Sequence, residues 1–246
     1  MGKSDNVWLA GVDGCPGGWI AAFVRPAGND GAIAVFPRFA DVLAAAQAPT
    51  MVAVDMPIGL PERTGHGGRA AENAVRPLLG ARQSSVFSVP SRAAIEAADY
   101  AAACRAALAS SEPPRKVSKQ LFNIAPRIRE VDALLRADPA LAARVCEVHP
   151  EVAFWRLNGE RALDQPKKLK GRPYPPGLAL RRDLLRAAKM PGDLIDATPP
   201  KGAAADDLLD ALACAVVARR LHEGTARPFP DPPPRDAFGL PMAIWA

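Results

Sequence analysis

The chain opens with short apolar runs. Residues 7–13 (VWLAGVD) and 19–25 (WIAAFVR) are β-prone and flank Gly14-Cys15-Pro16-Gly17-Gly18, a Gly/Pro turn of the kind that closes a hairpin. Residues 32–36 read as a third strand. Across residues 39–47 the apolar positions Phe39, Val42, Leu43 and Ala46 recur at helical spacing. Residues 50–55 (TMVAVD) form a fourth strand, apolar throughout as a strand covered on both faces is, and 56–61 (MPIGLP) ends it.

The pattern then changes. Residues 62–143 lack a strand period and carry helical stretches at 91–110 and 118–137, so they read as a helical insertion within one domain spanning 1–246. Residues 144–149 (RVCEVH) give a fifth strand, stopped by Pro150, with a helix from Glu151. Residues 164–177 (DQPKKLKGRPYPPG) read as a mobile basic loop, 178–188 as a helix, and 203–222 as the clearest helix of the chain. That helix opens with acids, closes with Arg219, Arg220 and His222 as its dipole favours, and is followed by Gly224. The Pro-rich stretch 227–235 reads as a linker, and 238–245 is apolar enough to dock back on the body.

Composition narrows the class. With 49% hydrophobic and 23% charged residues, the 246-residue chain has enough apolar surface to build a core, which excludes global disorder. The longest apolar stretch, residues 211–218, is far short of the ~20 residues of a membrane span. The opening MGKSDN has no apolar signal segment and Asn6 breaks the myristoylation pattern. The four cysteines form no CxxC pair, so a disulfide framework and a zinc cluster are not expected and a reducing cytoplasm is. The net charge of +5 is uneven: residues 1–60 are net −2, 61–130 net +5, and 152–189 alone net +7. Basic stretches beside an acidic third suggest an anionic partner meeting a carboxylate site; the simpler alternative is a solvated, Arg-rich surface.

The acids fall in informative places. Asp13 and Asp55 end consecutive apolar strands, where carboxylates are costly unless they bind a cation or accept hydrogen bonds. Either alone could simply start a turn; both together favour function. Asp206, Asp207 and Asp210 share a helix, with Asp210 one turn from the other two, a repulsive spacing. N-terminal preference accounts for Asp206 and Asp207 but not for Asp210, which precedes the apolar run. On the fifth strand Glu147 and His149 share a face, and Glu147 is the better site candidate. Several carboxylates without a Cys/His cluster suit Mg²⁺ or Mn²⁺, and two such ions ~3.5–4 Å apart can drive phosphodiester cleavage.

Several motifs are familiar. Gly11-Val-Asp-Gly-Cys-Pro-Gly-Gly-Trp19, Val54-Asp-Met-Pro-Ile-Gly-Leu-Pro61, Arg82-Gln-Ser-Ser-Val-Phe87, Glu147-Val-His-Pro-Glu151 and Asp206-Asp-Leu-Leu-Asp-Ala-Leu212 resemble the domain-of-unknown-function 429 family, predicted nucleases of ribonuclease H-like fold. The resemblance runs from about Val7 to Trp245. It implies an α/β fold: a five-stranded mixed sheet with flanking helices and a helical insertion between strands 4 and 5. It also implies metal ligation by Asp13, Asp55, Asp207 and Asp210, with Glu147 added as a catalytic candidate, and nucleic acid as partner. Arg82, Arg92, Lys119 and Arg127 are the expected substrate-binding residues on a helical cap. Two other classes compete. An ATP-dependent phosphotransferase of the actin and sugar-kinase branch would use the Gly-rich hairpin for phosphate, but needs a second fold half that this length does not hold. A non-catalytic nucleic-acid-binding module would have lost the acids, which are all present.

Overall fold

The apolar runs at the start of the chain become the sheet. β1 (Leu9–Cys15), β2 (Gly18–Val24) and β3 (Gly31–Phe36) form an antiparallel meander, with Cys15 paired to Gly18 across the expected turn. β4 (Met51–Val54) lies parallel to the other side of β1, and β5 (Val145–Glu147) parallel to β4, giving the order β3-β2-β1-β4-β5. The computed structural model describes residues 7–27 and 30–246; the expectations about the opening hexapeptide lie outside these residues. No helix among the described residues is long and apolar enough to cross a membrane.

Strand alternation sorts side chains onto two faces. Ala10, Val12, Val52, Val54 and Val145 face one core, while Leu9 and Ala53 face another. Gly11 and, by the same period, Asp13 and Asp55 fall on the second face. Glu147 is paired with Val54 and therefore falls on the first.

Helices cover both faces. α1 (Phe39–Leu43) links β3 to β4, and is shorter than the helix expected over 39–47. Between β4 and β5 come α2 (Ala70–Val75), a 3-10 segment (Arg76–Ser85), α3 (Arg92–Glu96), α4 (Tyr100–Ser110), α5 (Lys119–Ala137) and α6 (Pro139–Ala142). The helical stretch at 91–110 is thus two helices, broken at Ala97, whose ψ of 140° is extended. α5 starts where Ser118 Oγ accepts the Leu121 N–H (3.2 Å). It buries Leu121, Ala125, Ile128, Val131 and Leu135 in the first core, so this segment covers a face of the sheet.

After β5 follow α7 (Pro150–Leu157), the short strands β6 (Lys168–Leu169) and β7 (Arg172–Pro173), α8 (Pro175–Ala187), α9 (Gly192–Ile195) and α10 (Ala205–His222). α10 lies on β1 and β4 with α7 and α8 against it, which is why every residue from Leu208 to Ala218 is buried. β8 (Pro228–Phe229) and β9 (Ile244–Trp245) close the chain as an antiparallel pair. The Pro-rich stretch is therefore structured by tertiary pairing and is no free linker. The buried Asp236 carboxylate just beyond it accepts from Leu60 N, Phe238 N, Leu240 N and the Arg92 guanidinium.

Candidate metal centre

The parallel strands end together, and their face decides which acids meet. Asp13 near the end of β1 and Asp55 just after β4 fall on the side covered by α10, which presents Asp210. Each of the three offers a carboxylate oxygen, and these oxygens lie within 4.8 Å of one another. Asp13 and Asp210 are buried, and Asp55 partly so. Asp13 Oδ1 accepts the Gly14 N–H (2.7 Å), a local contact within β1 that fixes its orientation.

Three acids this close raise one another's affinity for protons. Burial, then Asp55 and Asp210, push Asp13 well above the usual carboxylate range. Burial raises Asp55 to about 7, with Lys167 opposing and Glu151 adding. Burial raises Asp210 to about 6 against the pull of Lys167. The Lys167 ammonium forms an ion pair with Asp210. Burial disfavours its charge, but Asp210, Asp13 and Asp55 outweigh that and hold its pKa above the ordinary lysine value.

The centre lines a cavity of about 430 Å³, within the size range of small-ligand sites. Asp210 Oδ1, Asp206 Oδ1 and Glu151 Oε2 are buried without a hydrogen-bond partner. A buried carboxylate oxygen left unpartnered is costly, and a cation relieves that cost. The donor set of the triad is all oxygen, which suits a hard cation such as Mg²⁺ or Mn²⁺.

The remaining expected residues divide. Asp207 lines the cavity outside the triad, and its Oδ2 accepts the Ala204 N–H (2.9 Å) as a helix cap. Burial raises its pKa. Glu147 does not join the carboxylates, because its strand position turns it to the opposite face. There it grips Arg69 through both oxygens (2.5 and 2.9 Å) and accepts the Ile58 N–H (2.7 Å). Arg69 also binds Glu72 and the carbonyls of Ile58 and Gly59, so this buried group fixes the turn after β4. Glu147 also lines the same cavity as the triad, with both oxygens held by Arg69 and Ile58, and burial raises its pKa to about 7. His149 lines the cavity, its Nε2 3.3 Å from the Ser85 carbonyl, and burial lowers its pKa.

Of the four expected substrate-binding cations, only Arg127 lines the cavity. Its Nη2 donates to the Cys15 carbonyl (2.6 Å), holding the guanidinium against Gly14 at the end of β1. Arg92 is turned inward to Asp132 (2.6 Å) and Asp236 (2.8 Å) because those buried carboxylates need a cation. The Lys119 ammonium sits 5.5 Å from the Tyr100 ring centroid. Arg82 lies in the 3-10 segment, outside the cavity lining, with its Nε buried.

Two residues at the centre escape the sequence pattern. Lys167 sits in the segment that reads as a mobile basic loop, and Glu151 reads only as the start of a helix. Glu151 pairs with the fully buried Arg181 (2.5 Å) and keeps its other oxygen free. The spacing of Glu147 and Glu151 in Glu-Val-His-Pro-Glu contained the signal for Glu151, since the two fall on different elements.

Sheet order, the parallel strand ends and the acid-bearing final helix define an α/β protein with a carboxylate centre, consistent with a ribonuclease H-like architecture. The chain matches the model of the family described as "Protein of unknown function (DUF429)" over residues 11–235, and it belongs to that family. Comparison with curated proteins and with solved structures finds no match.

Proposed function

We propose that the protein is a divalent-metal-dependent phosphodiesterase acting on nucleic acid. The observation that carries this reading is the convergence of carboxylate oxygens of Asp13, Asp55 and Asp210 within 4.8 Å at the cavity, with one Asp210 oxygen buried and unpartnered. Asp13, Asp55 and Asp210 would hold the metal. When bound, Mg²⁺ or Mn²⁺ there would polarise a phosphoryl oxygen and lower the pKa of water. Arg127 binds and orients the phosphate from the β1 side. Arg69, Glu72 and Glu147 keep the Asp55 turn in place, and the apolar wall of Met56, Val86, Phe87 and Ile124 limits access of water.

The phosphotransferase alternative has less support. Its phosphate would need free backbone N–H groups in the hairpin turn, and the Gly17 N–H donates to the Gly202 carbonyl (2.8 Å).

The test is hydrolysis of a panel of phosphodiesters: single-stranded and duplex DNA, RNA and bis(p-nitrophenyl) phosphate. Cleavage with Mn²⁺, abolished by chelator and by Asp55→Asn, is expected. Cleavage that persists in Asp55→Asn, or no cleavage of any member with Mn²⁺ bound, would contradict the reading.

A further inference from the structure

We propose, resting on the phosphodiesterase reading above, that the β6–β7 hairpin holds the nucleic-acid backbone. Lys170 and Arg172 at its tip would contact phosphates next to the one at the carboxylates.

The hairpin stands clear of the body. Its strands pair Lys168 with Pro173 and Leu169 with Arg172, and all four residues are exposed. Lys170 and Gly171 between them both have left-handed φ (52° and 76°), the two-residue turn whose twist matches that of paired strands. The root, by contrast, is fixed at the candidate metal centre. Lys167 and Lys168 line the cavity and pair with Asp210 and with Asp206 (2.6 Å) on α10. From α8 the buried Arg181 donates to the Gln165 carbonyl (3.0 Å), and the Tyr174 N–H donates to the Lys167 carbonyl (2.9 Å). Gly177 lies so close that a Cβ there would be 1.9 Å from the Pro166 carbonyl oxygen. The root is therefore clamped between α8 and α10, and the tip is carried at a set distance from the carboxylates.

The tip holds the charge that the root has spent. Within the basic segment 152–189, Lys167 and Lys168 answer acids of α10, Arg181 answers Glu151, Arg156 answers Glu160 and Arg186 answers Asp196. Lys170 and Arg172 are exposed and have no side-chain partner among the described residues. At ~3.3–3.4 Å per strand residue Lys170 lies about 7 Å beyond Lys168. That is about two rises of ~3.4 Å along one strand of a duplex, so a backbone with one phosphate at the carboxylates brings the next ones to the tip. Residues 168–173 include no aromatic ring on which a base could stack. The contact is thus with phosphates and independent of sequence.

The experiment measures the affinity of a short fluorescent duplex DNA against salt, with Ca²⁺ in place of Mn²⁺ so that the probe stays intact. It compares the wild-type chain, Lys170→Gln, Arg172→Gln and the double variant. Lys189→Gln, beyond the far end of α8, controls for a general loss of charge. The two hairpin side chains have no partner to lose, so melting temperature and Mn²⁺ affinity should match wild type. Expected are weaker binding and a slope of log affinity against log salt flatter by about 0.9 in each single variant and about 1.8 in the double one. Lys189→Gln should keep the wild-type slope. An unchanged slope in the double variant, or equal flattening in Lys189→Gln, would overturn the proposal. Mn²⁺-dependent hydrolysis of bis(p-nitrophenyl) phosphate by wild type is measured alongside. Hydrolysis by a chain that binds no DNA would overturn the role of the hairpin and leave a phosphodiesterase of small substrates. No hydrolysis of that compound or of the duplex would overturn the reading on which the proposal rests.

Discussion

A Cβ atom on Gly11 would stand 2.0 Å from the amide nitrogen of Ala215. β1 and α10 are therefore in backbone contact, with Ala211 and Ala215 as the small residues that permit it. Asp13 lies two residues along the same strand face and Asp210 just before Ala211 on the helix. The absence of one side chain at Gly11 thus sets the separation of two carboxylates.

Gly11→Ala should push α10 off the strand. The clash is with backbone, so no rotamer change relieves it, and a loss of at least about 1–3 kcal/mol is expected. Because Asp210 moves with the helix, Mn²⁺ affinity should fall in parallel. A variant with wild-type melting temperature and wild-type Mn²⁺ affinity would show that the contact is not a constraint.

The proton affinities of the triad predict how stability depends on pH. Asp55 titrates at about 7 and Asp210 at about 6 in the folded chain, and Asp13 is also raised, against an ordinary aspartate value near 4. The folded state holds these protons more tightly than the unfolded one, so their contribution is fully present below about pH 4. It is lost as pH rises through 6–7, on the order of a few kcal/mol. In chelator the melting temperature should therefore fall between pH 5 and 8. Mn²⁺ competes with those protons, so its stabilising effect should be larger at pH 8 than at pH 5. A melting temperature in chelator that rises over this range, with a Mn²⁺ effect independent of pH, would go against the arrangement.

Asp55→Asn removes one charge from the group while nearly keeping its shape. The variant should fold and, in chelator at pH 8, melt at or above the wild-type temperature, because a repulsive neighbour of Asp13 and Asp210 is gone. Its phosphodiesterase activity should drop to background, as read in the Mn²⁺-dependent assay. Destabilisation by the same change would mean that Asp55 holds the fold and not a cation.

Arg92 and Arg127 should separate structure from substrate. Arg92→Ala leaves the buried Asp236 carboxylate without its cation and Asp132 with Arg136 alone (3.3 Å), and should cost about 3 kcal/mol, read by chemical denaturation, with Mn²⁺ affinity unchanged. Arg127→Ala should leave stability nearly unaltered but weaken nucleic-acid binding. It should also flatten the slope of log affinity against log salt by about 0.7–0.9, the share of one phosphate contact. An unchanged slope would remove Arg127 from the binding surface.

The strand-end acids were legible because two local rules sufficed: strand alternation for Asp13 and Asp55, and helical period for Asp210. The face on which Glu147 lies was legible too, but not that the other acids lie on the opposite face, since this depends on the register of β5 against β4. The helices of 62–143 could be found by period, yet their cations could not be aimed. Arg92 turns inward to Asp236, 144 positions away in sequence, and no local pattern carries that pairing. Lys167 was hidden for the same reason: Pro, Lys and Gly in residues 164–177 read as a loop, and it is distant partners, Arg181 and Tyr174 on one side and Asp206 and Asp210 of α10 on the other, that hold it over the carboxylates.

The most direct test of the central claim is a crystal of the full chain soaked in Mn²⁺ at pH 8, with anomalous scattering recorded to locate the metal. A peak with oxygens of Asp13, Asp55 and Asp210 each at ~2.1 Å is the predicted result. The Lys167 ammonium should remain in contact with Asp210. A map with no peak among these three carboxylates, or with Mn²⁺ held elsewhere, would contradict the account.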